Sequence, residues 1–470
     1  MSTQRTLSVL SLIMINLAAL GGIRTWAPMA ESGFTSVFFL LFGVLTFFIP
    51  VSLITAELAT TWPQSGGVYA WIRQAFGHRL GYLAIWLLWV QNMLWFPTML
   101  SFLASSITFI FDPELSQSKP LTFAFAILLF WGATLVNLRG TKASSFLSSI
   151  GAICGTFIPS ILLVALGIWW FSDAKPIEIS FTWDAFVPNL KSVEQMALLA
   201  GIIISILGIE MSAVHAAEVK NPQKNYPKAI LLSSIMLILF SILGVLSIAM
   251  VVPKAKLLLS AGCLQAFAFF FHSLNQPWLI PVMALIITVG GLGSLATWIM
   301  GPAKGLIAAA QNEDLPALLR KTNGKGVPKN FLILQASIVS ILSIAFLFLP
   351  TVNAAYWIFL VLTTQLYLVM YFLLFAAVIK LRKTDPNTPR PFKVPGGKIG
   401  LWCFSAVGFL SSLFALVIAF FPPAQIEPGR KSIYILSLAI TMSVMIVLPL
   451  MIARLRSRSG KAVENKSHIV

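Results

Sequence analysis

The residues with the clearest chemical potential are few, and they lie inside apolar runs. In "NLAALGGIRTWAPMAESGF", Asn16 to Phe34, the glycines Gly21 and Gly22, then Arg24 and Pro28, interrupt an otherwise apolar helix. In "SILGIEMSAVHAAEVKNPQKNYPKA", Gly208 is followed two residues later by Glu210, and Glu57 stands in "ITAELATTWPQSGG". These residues do not make an enzyme. Histidines at 78, 215, 272 and 468 lie far apart, and no cluster of acids, histidines or cysteines gathers near one interface. His215 has no second ligand at metal spacing and is read as packed. Cys154, Cys263 and Cys403 form neither a disulfide framework nor a ligand set, so neither metal nor cofactor is expected. Glycine-broken helices offer binding chemistry instead: free amides suit a carboxylate, and free carbonyls suit an ammonium. The ligand this describes is an amino acid.

The elements that must position these residues follow from composition. Of 470 residues, 58% are hydrophobic and 10% charged, too little polar surface for a water-soluble body of this size. The chain reads as an all-α integral membrane protein with a lipid bilayer as its surroundings. Apolar segments near residues 7–30, 34–58, 81–111, 121–138, 144–171, 193–217, 228–252, 277–301, 331–350, 353–380, 400–421 and 432–453 predict twelve helices. Each is long enough, at about 1.5 Å per residue, to cross about 30 Å of hydrocarbon, where only helix satisfies the backbone. The first span carries no small-residue cleavage site and is read as retained.

A net charge of +17 would suggest nucleic acid, but the basic residues cluster in short loops between spans, so that partner is discarded. With the N-terminus inside, 24 basic residues fall in cytoplasmic segments and seven outside, which places both termini in the cytoplasm. Residues 454–470 form a short basic tail, too small for a substantial plug. Cys263 falls in the outer connection after span seven, where an impermeant thiol reagent should reach it, and Cys154 and Cys403 fall inside spans.

Arg24 is the basic residue left over. Leu7 to Leu20 makes about 21 Å of helix, so the glycine pair arrives past mid-membrane. Each glycine costs about 1 kcal/mol of helix propensity, and freed backbone groups at that depth must line a cavity or meet protein partners. An arginine there costs about 2.5–3.5 kcal/mol and should turn inward. It would bind an acidic substrate side chain or answer Glu210, and the internal or gating role is preferred. Glu57, near the inner end of span two, is read first as an interfacial cap or arginine partner, and is kept with Arg24 and Glu210 as a coupling or gating candidate.

Spans one and six, separated by four others, would be matching members of two five-helix halves, about 7–171 and 193–380, followed by extra helices over 400–453. "SGGVYAWIRQAF" after span two and "SAGCLQAFAFFF" after span seven share serine, glycine and a final phenylalanine in register. Inverted repeats with a broken first helix in each half point to a secondary transporter whose site lies between the breaks.

Five stretches carry a family resemblance: "SGFTSVFFLLFGVLTFFIPVSLITAELAT" with "GGVYAWI"; "ILGIEMSAVHAAEVKNPQKNYP"; "SAGCLQAF"; "ATWIMGPAKGLIAAAQNEDLPALLRKTNGKGVP"; and "RPFKVPGGK". The chain resembles the amino acid–polyamine–organocation superfamily, and within it the bacterial glutamate/γ-aminobutyrate antiporters. The resemblance implies a five-plus-five inverted repeat with two extra helices, in a bacterial inner membrane. It also implies exchange of one amino acid for its decarboxylated product or for another amino acid. The substrate contacts it implies are Gly21, Gly22, Ile23, Arg24 and Thr25 of span one, Gln91 of span three, Gly208 and Glu210 of span six, Trp298 of span eight, and Tyr367 and Tyr371 of span ten. The chain departs from the family at Ile23 to Trp26, where an aromatic–acidic run is usual, at Ser294 in place of an acid, and at Ser149 in place of a lysine. A neutral or aromatic amino acid permease, an amino acid/amine exchanger, and a non-transporting sensor or channel stand as alternatives.

Overall fold

A computed structural model of the chain describes residues 7–20, 22–63, 66–139, 151, 155, 157–189, 191–212, 219–309, 317–324, 327–422 and 431–467. Gly21, Ser149, Cys154 and His215 lie outside the described residues. Among those described, ten helices are long and apolar enough to cross a membrane. They are spans two (Thr35–Thr61), three (His78–Phe111), four (Lys119–Leu138), six (Gln195–Ser212), seven (Pro222–Val251), eight (Leu279–Ala303), nine (Lys329–Phe348), ten (Val352–Thr384), eleven (Gly397–Ile418) and twelve (Lys431–Met451). A broken span one and a span five described as helix over Ile158–Ser172 bring the architecture to the expected twelve. The last helix continues to Ser467, so the backbone of the basic tail prolongs span twelve.

Both expected breaks are present. Span one is helical over Val9–Leu20, resumes as a 3-10 turn over Ile23–Thr25 and continues as α-helix over Trp26–Ala30. Gly22 between them is extended, with φ −68° and ψ 124°. Span six is helical over Val193–Ile203, tightens to a 3-10 turn over Ile204–Ile206, and then leaves the helix at Leu207 and Gly208. Gly208 has φ +107°, a conformation that a side chain would strain, which accounts for glycine at that point.

The two stretches that matched in sequence also match in form. A helix over Val68–Phe76 follows span two, and one over Gly262–Ser273 follows span seven. The second overturns the expected exposure of Cys263. This helix folds back over the span-one break, so Cys263 is 1% exposed and its Sγ donates to the Ile23 carbonyl at 2.9 Å. Cys403 lies on the exposed side of span eleven, where lipid would meet it.

The core is continuous around span three, against which spans eight and ten both pack extensively. Spans five and eight meet backbone to backbone: a Cβ added to Gly155 would lie 2.7 Å from the Gly290 Cα. Beside the span-one break, Gly244 of span seven makes room for the fully buried Trp26 ring. Overpacking there should be felt at once, since a Cβ at 244 would overlap the indole. Gly244→Ala should lower the thermal stability of the purified protein by about 1–3 kcal/mol, with partial recovery in the Gly244→Ala, Trp26→Phe double variant. An unshifted melting curve for the single variant would disprove this packing.

Candidate functional site

The span-one break exists because its freed backbone groups find partners. Thr25 donates its hydroxyl and its N–H to the Gly22 carbonyl, at 3.0 and 3.2 Å, and Cys263 occupies the Ile23 carbonyl. The N–H groups at the head of the new turn have no preceding helix to bond. The residues of that turn border a cavity of about 100 Å³, lined on one side by Gly22, Ile23, Arg24 and Thr25. Ile204, Ser205 and Leu207 of the span-six break line it from another side, so the two interruptions face one space.

Spans three, eight and ten complete the wall with Gln91, Asn92, Trp95, Ser294, Trp298, Thr363 and Tyr367. Gln91 donates within its own helix to the Leu88 carbonyl at 3.2 Å. Trp298 tilts against Trp95 with ring centroids 5.6 Å apart. Of the substrate contacts implied by resemblance, Gly22, Ile23, Arg24, Thr25, Gln91, Trp298 and Tyr367 therefore border the cavity. Gly208, Glu210 and Tyr371 are not in its lining and stand behind Tyr367.

Glu210 is 1% exposed and, among the described residues, is answered by phenols and not by a cation. Tyr367 donates to its Oε1 at 2.6 Å, and Tyr371 donates to its Oε2. The Tyr371 hydroxyl in turn accepts the Gly208 N–H at 3.0 Å. Span ten is thus tied to the break in span six through both oxygens of one carboxylate and one freed amide. The two rings stack 5.2 Å apart, and Phe47 of span two abuts Tyr371 edge-on at 5.0 Å.

The preferred pairing of Arg24 with Glu210 does not form. Arg24 Nη1 donates to Thr98 Oγ1 at 3.0 Å and to Tyr356 Oη at 3.3 Å, and its guanidinium carbon lies 5.1 Å from the Trp95 ring centroid. Its side chain turns toward spans three and ten, while Glu210 is engaged by tyrosines lower on span ten. Arg24 is 8% exposed, so it faces inward and does not snorkel.

Thr98 and Tyr356 escaped the sequence reading. A signal for Tyr356 was available: Tyr356, Thr363, Tyr367 and Tyr371 fall at intervals of 7, 4 and 4 and so occupy one face of span ten.

Glu57 has the arginine partner expected of it. Arg382 Nε and Nη2 donate to its two oxygens at 2.7 and 2.5 Å, the Val394 N–H donates to Oε2 at 2.8 Å, and Arg390 Nε lies 3.6 Å from Oε1. Arg390 also donates to the Leu381 and Asp385 carbonyls at 3.1 and 2.9 Å, which folds "RPFKVPGG" under the ends of spans two and ten. A bidentate fork on a carboxylate 1% exposed is a structural arrangement first.

Comparison with known proteins places the chain among transporters. The profile of the family described as amino acid permease matches residues 6–452. An uncharacterised transporter of Legionella pneumophila is 42% identical over 426 residues, covering 90% of this chain and 91% of the relative. A glutamate/γ-aminobutyrate antiporter of Lactococcus lactis is 34% identical over 472 residues, covering 99% of this chain and 94% of the relative. A probable agmatine/putrescine antiporter of the same species is 27% identical, covering 88% and 86%.

The Glu57 cluster yields a prediction that separates latch from coupling group. Removing one charge of a buried pair leaves the other unanswered, so Glu57→Gln should cost about 3–5 kcal/mol of stability. Glu57→Gln combined with Arg382→Gln should cost less than the two single changes together. Denaturation of the purified variants checks both; full stability with lost activity would make Glu57 a coupling residue instead.

Proposed function

This chain belongs to the amino acid permease family, and from that membership and the cavity between its two broken helices we propose that it exchanges amino acids across a bacterial inner membrane by alternating access. The protein is a transporter of the antiporter-containing branch of that family, not an enzyme. The proposed substrates resemble those named for the Lactococcus relative, glutamate and γ-aminobutyrate. The observation that carries the proposal is that residues of both breaks, Gly22 to Thr25 and Ile204, Ser205 and Leu207, line the same space.

In this reading the two halves of the chain are inverted repeats, supported by the helices that follow spans two and seven. Both termini lie in the cytoplasm, as the distribution of basic residues favours. The freed span-one amides take the substrate α-carboxylate, and Gln91 and Trp298 bound its body. Substrate passing toward the face that bears the N-terminus must part Tyr367 and Tyr371 from Glu210, because those bonds join spans six and ten behind the cavity. The bond of the Lys220 N–H to the Leu7 carbonyl, 3.0 Å, joins the residues just before span seven to those just before span one, further along the same route. Exchange without net leakage requires that this barrier open only with the site occupied. A channel or sensor has no such requirement.

Counterflow separates these readings. Proteoliposomes loaded with unlabelled glutamate should accumulate labelled glutamate transiently, and empty ones should not; equal uptake by both would refute exchange. Glu210→Gln retains the shape of the side chain but replaces one of the two oxygens that accept from the phenols with a donating NH2. It should yield folded protein that binds substrate and exchanges it at least tenfold more slowly, with an altered pH profile. Parental exchange rate and pH profile in that variant would make Glu210 a bystander.

A further inference from the structure

The surroundings of Arg24 say more about the substrate than the family does. Its recorded partners are a threonine hydroxyl, a tyrosine hydroxyl and an indole face, all neutral. The Thr98 hydroxyl donates to the Trp95 carbonyl at 2.7 Å, which fixes its lone pairs toward the guanidinium. Tyr356 is 0% exposed and cannot turn to solvent. Both oxygens meet the same nitrogen, Nη1. Nη2 and Nε have no hydrogen bond among the described residues, and Arg24 borders the cavity. Among those residues no carboxylate lies within ion-pair distance of it.

A buried guanidinium held from one end by neutral acceptors, with no carboxylate paired to it among the described residues, presents a free fork that matches a carboxylate. The side chain carries that fork toward spans three and ten, away from the span-one amides beside its own backbone. Arg24 and the span-one backbone beside it thereby offer two anion-binding points to one small cavity. We propose that Arg24 with Thr98 and Tyr356 forms a seat for the side-chain carboxylate of an acidic α-amino acid, Thr98 and Tyr356 being positioning residues that fix its preference over the uncharged amide. The proposal rests on the cavity being the exchange site. It also accounts for acceptance of γ-aminobutyrate, whose carboxylate corresponds to the side-chain carboxylate of glutamate. A seat for the α-carboxylate would instead accept glutamine and lose γ-aminobutyrate.

The test uses the full chain in proteoliposomes, with labelled glutamate challenged by γ-aminobutyrate and by glutamine, alongside equilibrium binding of glutamate to the purified protein. In the parent, γ-aminobutyrate should compete and glutamine should compete at least tenfold less well than glutamate. Arg24→Gln should reduce the glutamate-to-glutamine preference at least tenfold. Tyr356→Phe, which removes one oxygen, and Thr98→Val should each raise the KM for glutamate three- to tenfold with the maximal rate within twofold, and Thr98→Ser should restore the parental KM. Glutamine competing as well as glutamate in the parent, or variants losing both substrates in equal proportion, would overturn the seat. Arg24-dependent glutamate binding without any exchange would uphold the seat and refute the transport reading. Exchange of neutral amino acids without glutamate binding would do the reverse.

Discussion

An ionisable group within a membrane span has to be answered by another part of the protein, and in this chain one helix does most of the answering. Arg24, Glu57 and Glu210 belong to spans one, two and six. All three meet span ten or its immediate end: Tyr356 for Arg24, Tyr367 and Tyr371 for Glu210, and Arg382 for Glu57. By helical rise, Tyr356 lies about 16 Å from Tyr367, and Arg382 about 16 Å beyond Tyr371. Span ten therefore reaches past both ends of the cavity as a strut. In a low-dielectric interior these bonds are strong when made and expensive when left open, so span ten cannot shift without re-partnering at least one of the three groups.

The kinds of contact along that strut differ in a way that matters. At Glu57 the contact is a two-bond arginine fork reinforced by a backbone amide, an arrangement costly to separate. At Glu210 and Arg24 the partners are phenols and a hydroxyl, which are neutral and can exchange one acceptor or donor for another without stranding a second charge. A helix pinned at one end by charge and held along its length by neutral hydroxyls is suited to tilting about the pinned end. Spans five and eight supply the opposite property. Gly155 against Gly290 brings two backbones so close that sliding requires unpacking the pair. Rigid and movable parts are thus distinguished by their chemistry before any motion is considered.

Much of this was legible in the sequence, because depth along a helix can be counted. Twelve spans, breaks at Gly22 and Gly208, and an arginine for Glu57 all follow from length, glycine placement and the cost of burying charge. Rotation of one helix against another cannot be counted. The expectation that Arg24 would answer Glu210 took two charges at similar depth and assumed that they faced each other; Tyr356, 332 residues further along, and the Tyr367–Tyr371 pair had taken those places. Cys263 was misplaced for a related reason. A segment that leaves a span looks like an outer loop, and only packing reveals that it folds back to cover the Ile23 carbonyl.

Selectivity and access are joined by the way Arg24 is held. Tyr356 stands on the same face of span ten as Tyr367 and Tyr371, and the first touches the proposed seat while the other two hold the barrier at Glu210. A carboxylate settling on the free fork of Arg24 would draw charge from the bonds to Thr98 and Tyr356, relaxing one attachment of span ten while those at Glu210 and Glu57 persist. An uncharged amide makes weaker, partly mismatched bonds to the same fork and leaves the attachment nearly as it was. The ligand that best satisfies the seat is then also the one that most changes the balance of forces on span ten. Differential binding of that kind is what a ligand needs in order to shift a conformational equilibrium.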